Sequence, residues 1–277
     1  MEQWRYYNHA VIPATAPHVT ADTTDVLNGN VWKKYPKALF ARWTTDWDCG
    51  QETNWWYVIC DRPFDISALK ASRRYEINKG NKNFDVKRIM PHEYAEQLYR
   101  VHIAAVKSYP KKNQVLLTFD EYKQSIKNME SNKQNRFYAA FLKGTDDVCG
   151  FIIGTFDEHY FELTTQKADP AYEKIQVNAA LVDAFLADNA DLLAQGIYCN
   201  DGARNINHET AFQDYLEKYF CFRKAYCKLH IVYRPGFGLL IKFLFPFRKM
   251  LMWLDNIPLF HQVNGVLKME EIVRKDR

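Results

Sequence analysis

Between Asn83 and Arg234 the spacing of apolar residues switches several times between the two-residue period of a strand and the 3.6-residue period of a helix. The order of those switches restricts the fold more than any total does. NFDVKRIM alternates as a strand. Pro91 opens a helical segment, PHEYAEQLYRVHIAAVKSY, with Leu98, Val101, His102 and Ala105 on one face, and TFDEYKQSIKNMES reads as a shorter second helix. Three strand candidates follow, RFYAAFLK, DVCGFIIGTF and HYFELTTQ, joined by the turns KGTDD and DEH. A long helix is expected from about Pro170 to Leu193, with Ile175, Val182, Phe185 and Leu186 on its apolar face. Gly196 ends that region, and IYCND is a strand. Asn207 is placed to cap a helix carrying Phe212, Tyr215, Leu216 and Tyr219 on one stripe, and AYCKLHIVY is the last strand. The expected class is α/β in the α+β sense: a mixed central sheet flanked by helices.

The flanks differ in character. Residues 1–83 begin with PATAPHVTADTTD and continue with two aromatic segments, KALFARWTTDW and NWWYVICD, which the turn DCGQETN makes into an expected hairpin. DISALKASRRYEINKG then reads as a helix, capped at its start by Asp65 and ended by Gly80. After Pro235 the sequence turns apolar and basic. The expected divisions are therefore 1–83, an N-terminal extension; 84–234, the main domain; and 235–277, a C-terminal segment.

Totals exclude some classes of function. Of 277 residues 47% are apolar, enough for a sizeable core, and 37 basic against 33 acidic side chains leave a net charge of only +4, far short of a nucleic-acid binder's usual excess. Six cysteines lie scattered without a CxxC pair, which points to reduced thiols on the cytoplasmic side and to no metal site. MEQWRYYNHAVIPATAP lacks the apolar run of a secretory signal. No GxSxG, HExxH or P-loop is present.

The element order resembles that of the GNAT acyltransferase superfamily. FQDYLEKYFCFRKAY is similar to that family's last helix and the turn after it, with Cys221 where a glycine is usual. The hairpin and helix before residue 83, with Arg74-Tyr75-Glu76-Ile77 and a basic glycine-containing end, resemble the segment preceding the second GNAT-like domain of Fem-type aminoacyl transferases of peptidoglycan synthesis. The resemblance implies a GNAT-like domain behind a truncated first unit. It also implies a cofactor loop at the start of the long helix, where acetyl-CoA users carry Q/R-x-x-G-x-G/A because glycines let backbone N–H groups approach a pyrophosphate. Here that loop reads Glu173-Lys174-Ile175-Gln176-Val177-Asn178, so Gln176 and Asn178 stand at both small positions. The implied donor is a CoA thioester or, as in Fem-type enzymes, a bulkier aminoacyl-tRNA, which is the one nucleic acid expected as a partner.

Direct attack of an amine on an activated acyl carbon needs a base, an oxyanion donor and an acid for the leaving group. The resemblance points to Glu162 as a base, on a strand face with Tyr160 and Thr164, and to Tyr215 or Tyr219 as the acid. A solvated carboxylate and ordinary core tyrosines are the plainer readings of the same residues. Asn200-Asp201-Gly202-Ala203-Arg204-Asn205 follows a strand end, a place where loops face a crevice. Asp201 is a candidate base, Asn200 and Arg204 are candidate substrate contacts, and a turn rich in Asn, Asp and Gly is the alternative. His208, in the first turn of the next helix, is a candidate that titrates near neutrality or a structural residue near a cap. In SRRYEINKGNKNFDVKRI, Arg73 is four residues from both Leu69 and Ile77 and lies on the apolar stripe, where an arginine needs a partner; the family likeness points instead to Arg74.

GFGLLIKFLFPFRKMLMWLDNIPLF is interrupted by Lys242, Pro246, Arg248 and Lys249, which argues against a spanning helix. Residues 237–254 are expected to pack on their own domain, meet a second copy, or lie on a membrane surface at its inner face. Two functions remain in view. One is N-acyl or aminoacyl transfer to an amino group of a cell-envelope glycan or its lipid-linked precursor. The other is a non-catalytic GNAT-like scaffold in envelope polysaccharide assembly.

Overall fold

The computed structural model describes residues 3–111, 114–206 and 211–276. In chain order its strands are β1 (Trp4–Tyr7), β2 (Ala10–Pro13), β3 (Phe40–Thr45), β4 (Trp55–Cys60), β5 (Phe84–Ile89), β6 (Asn135–Leu142), β7 (Val148–Phe156), β8 (Tyr160–Ala168), β9 (Tyr198–Ala203) and β10 (Arg223–Tyr233). Its α-helices are α1 (Thr24–Leu27), α2 (Val31–Lys34), α3 (Ala71–Asn83), α4 (Ala95–Ser108), α5 (Phe119–Ser131), α6 (Val177–Asp188), α7 (Ala190–Ala194), α8 (Phe212–Tyr219), α9 (Phe237–Leu244), α10 (Arg248–Leu251) and α11 (Pro258–Lys275). The class is a mixed sheet flanked by helices, as the element order implies.

Contacts divide the chain into two units: Met1–Val58 with Ala203–Ala211 and Lys224–Arg277, and Ile59–Gly202 with Phe212–Arg223. These divisions do not follow the cuts at 83 and 234. The last strand and the whole C-terminal segment go with the N-terminal residues.

In the second unit the strands run β9-β8-β7-β6-β5, antiparallel except for the parallel β8–β9 pair. A core of Leu98, Val101, Tyr122, Ile126, Phe137 and Phe151 lies under α4 and α5. Thr118 and Glu121 form a reciprocal capping box at the start of α5, satisfying two orphan donors. The long helix is not continuous: a 3-10 turn over Pro170–Ile175 precedes α6, and α6 gives way to α7 at Asn189. Asn189 is buried, its amide donating to the Phe185 carbonyl at 2.7 Å and its Oδ1 accepting from Arg136 at 3.0 Å.

Asp65 does cap a helical turn, accepting from the Ser67 N–H at 2.8 Å, but that turn is a separate 3-10 piece and α3 starts only at Ala71. Gly80 does not end the helix; it lies inside α3. A Cβ there would stand 2.6 Å from the Gln176 carbonyl oxygen and 3.0 Å from the Ala180 nitrogen. The glycine is therefore used for backbone-to-backbone packing of α3 on the first turn of α6 rather than for a left-handed cap.

The first unit corrects the hairpin. β3 pairs antiparallel with β10, Phe40 opposite Tyr233 and Thr45 opposite Lys228, and β10 lies between β3 and β4. The two aromatic segments are strands, but their partner comes from the far end of the chain. On one face of this sheet Phe40, Trp55 and Leu229 pack with Ile241, Leu251, Leu267 and Ile272 of the C-terminal helices.

Candidate active site

The site begins where the β8–β9 ladder stops. Tyr160, Phe161 and Glu162 pair with Tyr198, Cys199 and Asn200, and there the pairing ends, whereas β8 continues to Ala168 with β7 alone beside it. A bulge between Ile153 and Gly154 of β7 puts Thr164 outside the ladder, since Ile153 faces Thr165 and Gly154 faces Leu163. Bulges bend a strand and end pairing, and they concentrate near sites.

Asn200 closes the base of this fork. It is 1% exposed, its Nδ2 donates to Glu162 Oε1 at 2.9 Å, and its Oδ1 accepts from the Gly202 N–H at 3.0 Å. Gly202 has φ +98, which suits it to the turn. Both ends of the Asn200 amide are thus engaged within the protein, a positioning arrangement for Glu162.

Successive strand residues point to opposite faces, and laterally paired residues share one. Glu162 and Asn200 therefore lie on one face and Asp201 on the other. Phe161 and Cys199 share Asp201's face, and the Phe161 ring meets Phe185 of α6 at 5.7 Å. Asp201 thus looks toward the α6 side, where buried Gln213 of α8 hydrogen-bonds it. Burial pushes the Asp201 carboxyl up to about 7; the Gln213 hydrogen bond opposes that rise and the charge of Glu162 adds to it. A half-buried carboxyl poised near neutrality at a strand end is the chemistry expected of a general base.

α8 carries two further groups. The Tyr215 and Tyr219 rings meet at a tilt with centroids 4.9 Å apart, and the Tyr219 hydroxyl donates to Glu76 of α3 at 3.3 Å. Burial, then the charge of Glu76, pushes the Tyr215 phenol well up, so it stays protonated. Gln213 turns to Asp201 while Tyr215 and Tyr219 turn to α3, so one short helix addresses two neighbours.

The arginines of α3 are anchored within this unit. Arg73 donates to the Lys218 carbonyl at 2.6 Å and lies over the Tyr219 ring at 5.7 Å, holding the C-terminal end of α8. Arg74 donates to the Leu69 carbonyl at 2.9 Å. Arg204 belongs to the first unit, where its guanidinium donates to the Asn54 carbonyl at 2.6 Å and covers the Trp56 ring at 4.5 Å. His208 lies outside the described residues.

At the expected cofactor loop, Gln176 takes a left-handed backbone, φ 70 and ψ 40. Cys221 does the same after α8, with φ 57. Two of the three positions where the family resemblance expects a glycine or small residue, Gln176 and Cys221, thus keep a glycine-type backbone without the glycine, whereas Asn178 lies inside α6. Asn178 Oδ1 accepts from Gln166 Nε2 of β8 at 2.8 Å, and Lys79 donates to the Lys174 carbonyl at 2.8 Å. A pyrophosphate cradle needs bare backbone N–H groups at this turn. Gln176 and Asn178 put side chains there and α3 packs against the Gln176 carbonyl, so these residues do not fit a bound CoA pyrophosphate.

Gln213, Glu76 and Gln166 are the site residues that sequence reasoning missed. Gln213 had a usable signal: it falls three residues before Leu216 and seven before Phe220, on the stripe that is buried.

No family model and no curated protein matches this sequence. Solved structures do. FemX is similar over 87% of this chain and 85% of its own at 6% identity, with a TM-score of 0.58. L-PGS from Bacillus licheniformis is similar over 99% and 86% at 10% identity, TM-score 0.53. A conserved protein of unknown function from Bacteroides thetaiotaomicron VPI-5482 is similar over 80% and 78% at 15% identity, TM-score 0.53. At such identities the likeness is one of fold. The chain has the mixed-sheet fold of FemX.

Proposed function

We propose that this protein transfers an acyl or aminoacyl group to an amino group, with Asp201 as the base. The observation that carries the reading is the Asp201 carboxyl itself, held near neutrality by burial at the end of β9, beyond the last β8–β9 pair. An attacking ammonium gives its proton to Asp201, and the neutral amine adds to the acyl carbon. Collapse of the adduct releases a second proton from nitrogen and an alcohol or thiol that needs one; Tyr215, kept as a phenol, is the candidate relay, giving its proton to the leaving group and regaining the nitrogen's.

Likeness to FemX supports a donor of the aminoacyl type, and the crowded loop at Gln176 and Asn178 weighs against acetyl-CoA. The acceptor class in this reading is an amino group of a cell-envelope glycan or its lipid-linked precursor. The test is turnover of radiolabelled aminoacyl-tRNA and of acetyl-CoA with an amino-sugar acceptor. Aminoacyl transfer that Asp201→Asn abolishes supports the proposal. Consumption of neither donor, with Asp201→Ala silent in cells, overturns it in favour of a non-catalytic scaffold.

A further inference from the structure

Residues 237–254 form one nearly unbroken helical run, α9 and α10 joined and followed by the 3-10 turns Phe245–Phe247 and Met252–Leu254. The run has two apolar stripes. Ile241 and Leu251 face the first unit's core with Phe40 and Trp55. Leu240, Phe243, Phe247, Met250 and Leu254 follow three-and-four spacing on the other side and are exposed, as is Ile257 just beyond the run. Phe243 is 69% exposed and Trp253, beside the stripe, 86%. A contiguous apolar face of this kind marks an interaction surface.

Charge indicates what it meets. From Arg234 to Leu254 the sequence holds Arg234, Lys242, Arg248 and Lys249 and no acidic residue. Arg248 is engaged internally, with Glu271 at 3.2 Å and over the Phe245 ring at 4.3 Å. Lys242 and Lys249 are exposed and form no ion pair among the described residues. Asp255, the first acid after the run, is paired with His261 at 2.9 Å. Among the described residues no helix is long and apolar enough to cross a membrane.

We infer that the 239–259 stripe lies in the interface of an anionic lipid bilayer, with its apolar side chains below the headgroups and Lys242 and Lys249 on lipid phosphates. A second copy is a poorer fit, because a twofold contact sets this face against itself and brings its own lysines together in an apolar seam. A bilayer supplies what both halves of the stripe need: acyl chains for the leucines and aromatics, negative charge for the lysines, and an interfacial level for Trp253. The inference is independent of the chemistry at the fork.

Flotation of the full chain with vesicles of mixed phosphatidylglycerol and phosphatidylcholine tests it. The protein floats with the anionic vesicles, less with phosphatidylcholine alone, and less at high salt. Joint replacement Phe243→Ser with Trp253→Ser lowers the bound fraction constant by about tenfold or more. Lys242→Glu with Lys249→Glu removes the preference for anionic lipid. Far-UV circular dichroism and the melting temperature are unchanged in both variants, since all four side chains are exposed. Failure to float with anionic vesicles, or flotation that neither variant alters, overturns the inference. A dimer that the Phe243/Trp253 variant dissociates, without vesicle binding, assigns the stripe to a second copy instead.

Discussion

At the residue scale the outcome turns on how much an environment charges for ionisation. Asp201 titrates near 7 in the fold against 3.8 for an exposed carboxyl, so between those values the folded chain keeps a proton that the unfolded chain has lost. Stability therefore falls as pH rises through that window and is flat above it. Asp201→Asn cannot ionise. Its melting temperature exceeds the wild type's by a margin that grows from about pH 4 to about pH 7 and then levels off. The same substitution lowers the transfer rate by about a hundredfold or more. Gains in stability and losses in rate from one change separate a base held under strain from a merely structural carboxylate; a melting margin independent of pH would contradict the burial argument. Gln176 and Cys221 make the opposite case, of side chains where backbone alone is wanted. Each sits in the left-handed region, which costs a non-glycine residue about 1–2 kcal/mol. Cys221→Gly stabilises the fold by about 1 kcal/mol in urea titrations. Sequence likeness pointed to Cys221 as a glycine position, and the φ of 57 gives that likeness a physical reason.

At the scale of elements, local pattern was enough wherever the partner lay nearby in sequence. β5 alternates, β6, β7 and β8 are strand-forming runs bounded by turn signals, α4 and α5 carry their stripes, and each pairs or packs with an adjacent segment. Pattern failed at Gly80 because a glycine near a helix end and a glycine under a crossing helix look alike until the second helix is placed. The difference is measurable. Gly80→Ala forces a Cβ to 2.6 Å from the Gln176 oxygen, a backbone atom that cannot swing aside, so α3 must shift off α6. The expected loss is about 1–3 kcal/mol, although alanine is the better helix former by about 1 kcal/mol; a gain in stability would mean that α3 is not seated on α6. The fork shows a second limit. That Glu162 and Asp201 face opposite sides of the sheet follows from the pairing of Glu162 with Asn200, a register that no single strand reveals.

At the scale of the whole molecule, composition sets 235–277 apart and leaves open whether it packs on its own domain, on a second copy or on a membrane surface. Its buried side packs within its own unit. Ile241, Leu251, Leu267, Met269, Ile272 and Val273 supply much of the buried cluster around Phe40, Trp55 and Leu229, and β3 finds its partner in β10 rather than in β4. The non-local pairing was illegible for a physical reason: aromatic strands carry propensity but not address. The first unit is therefore assembled from three separated stretches of chain, the last of which closes its core. A chain ending at Arg234 leaves Trp55, 1% exposed in the full protein, without its cover. Such a chain should bind a hydrophobic dye and lose near-UV dichroism from its aromatic-rich first unit. The second unit has its own buried cluster around Leu98, Phe137 and Phe151 and keeps a helical far-UV signal. Full retention of native near-UV dichroism after that truncation would show that the C-terminal helices only cover the fold, whereas the cluster makes them part of what the first unit folds around.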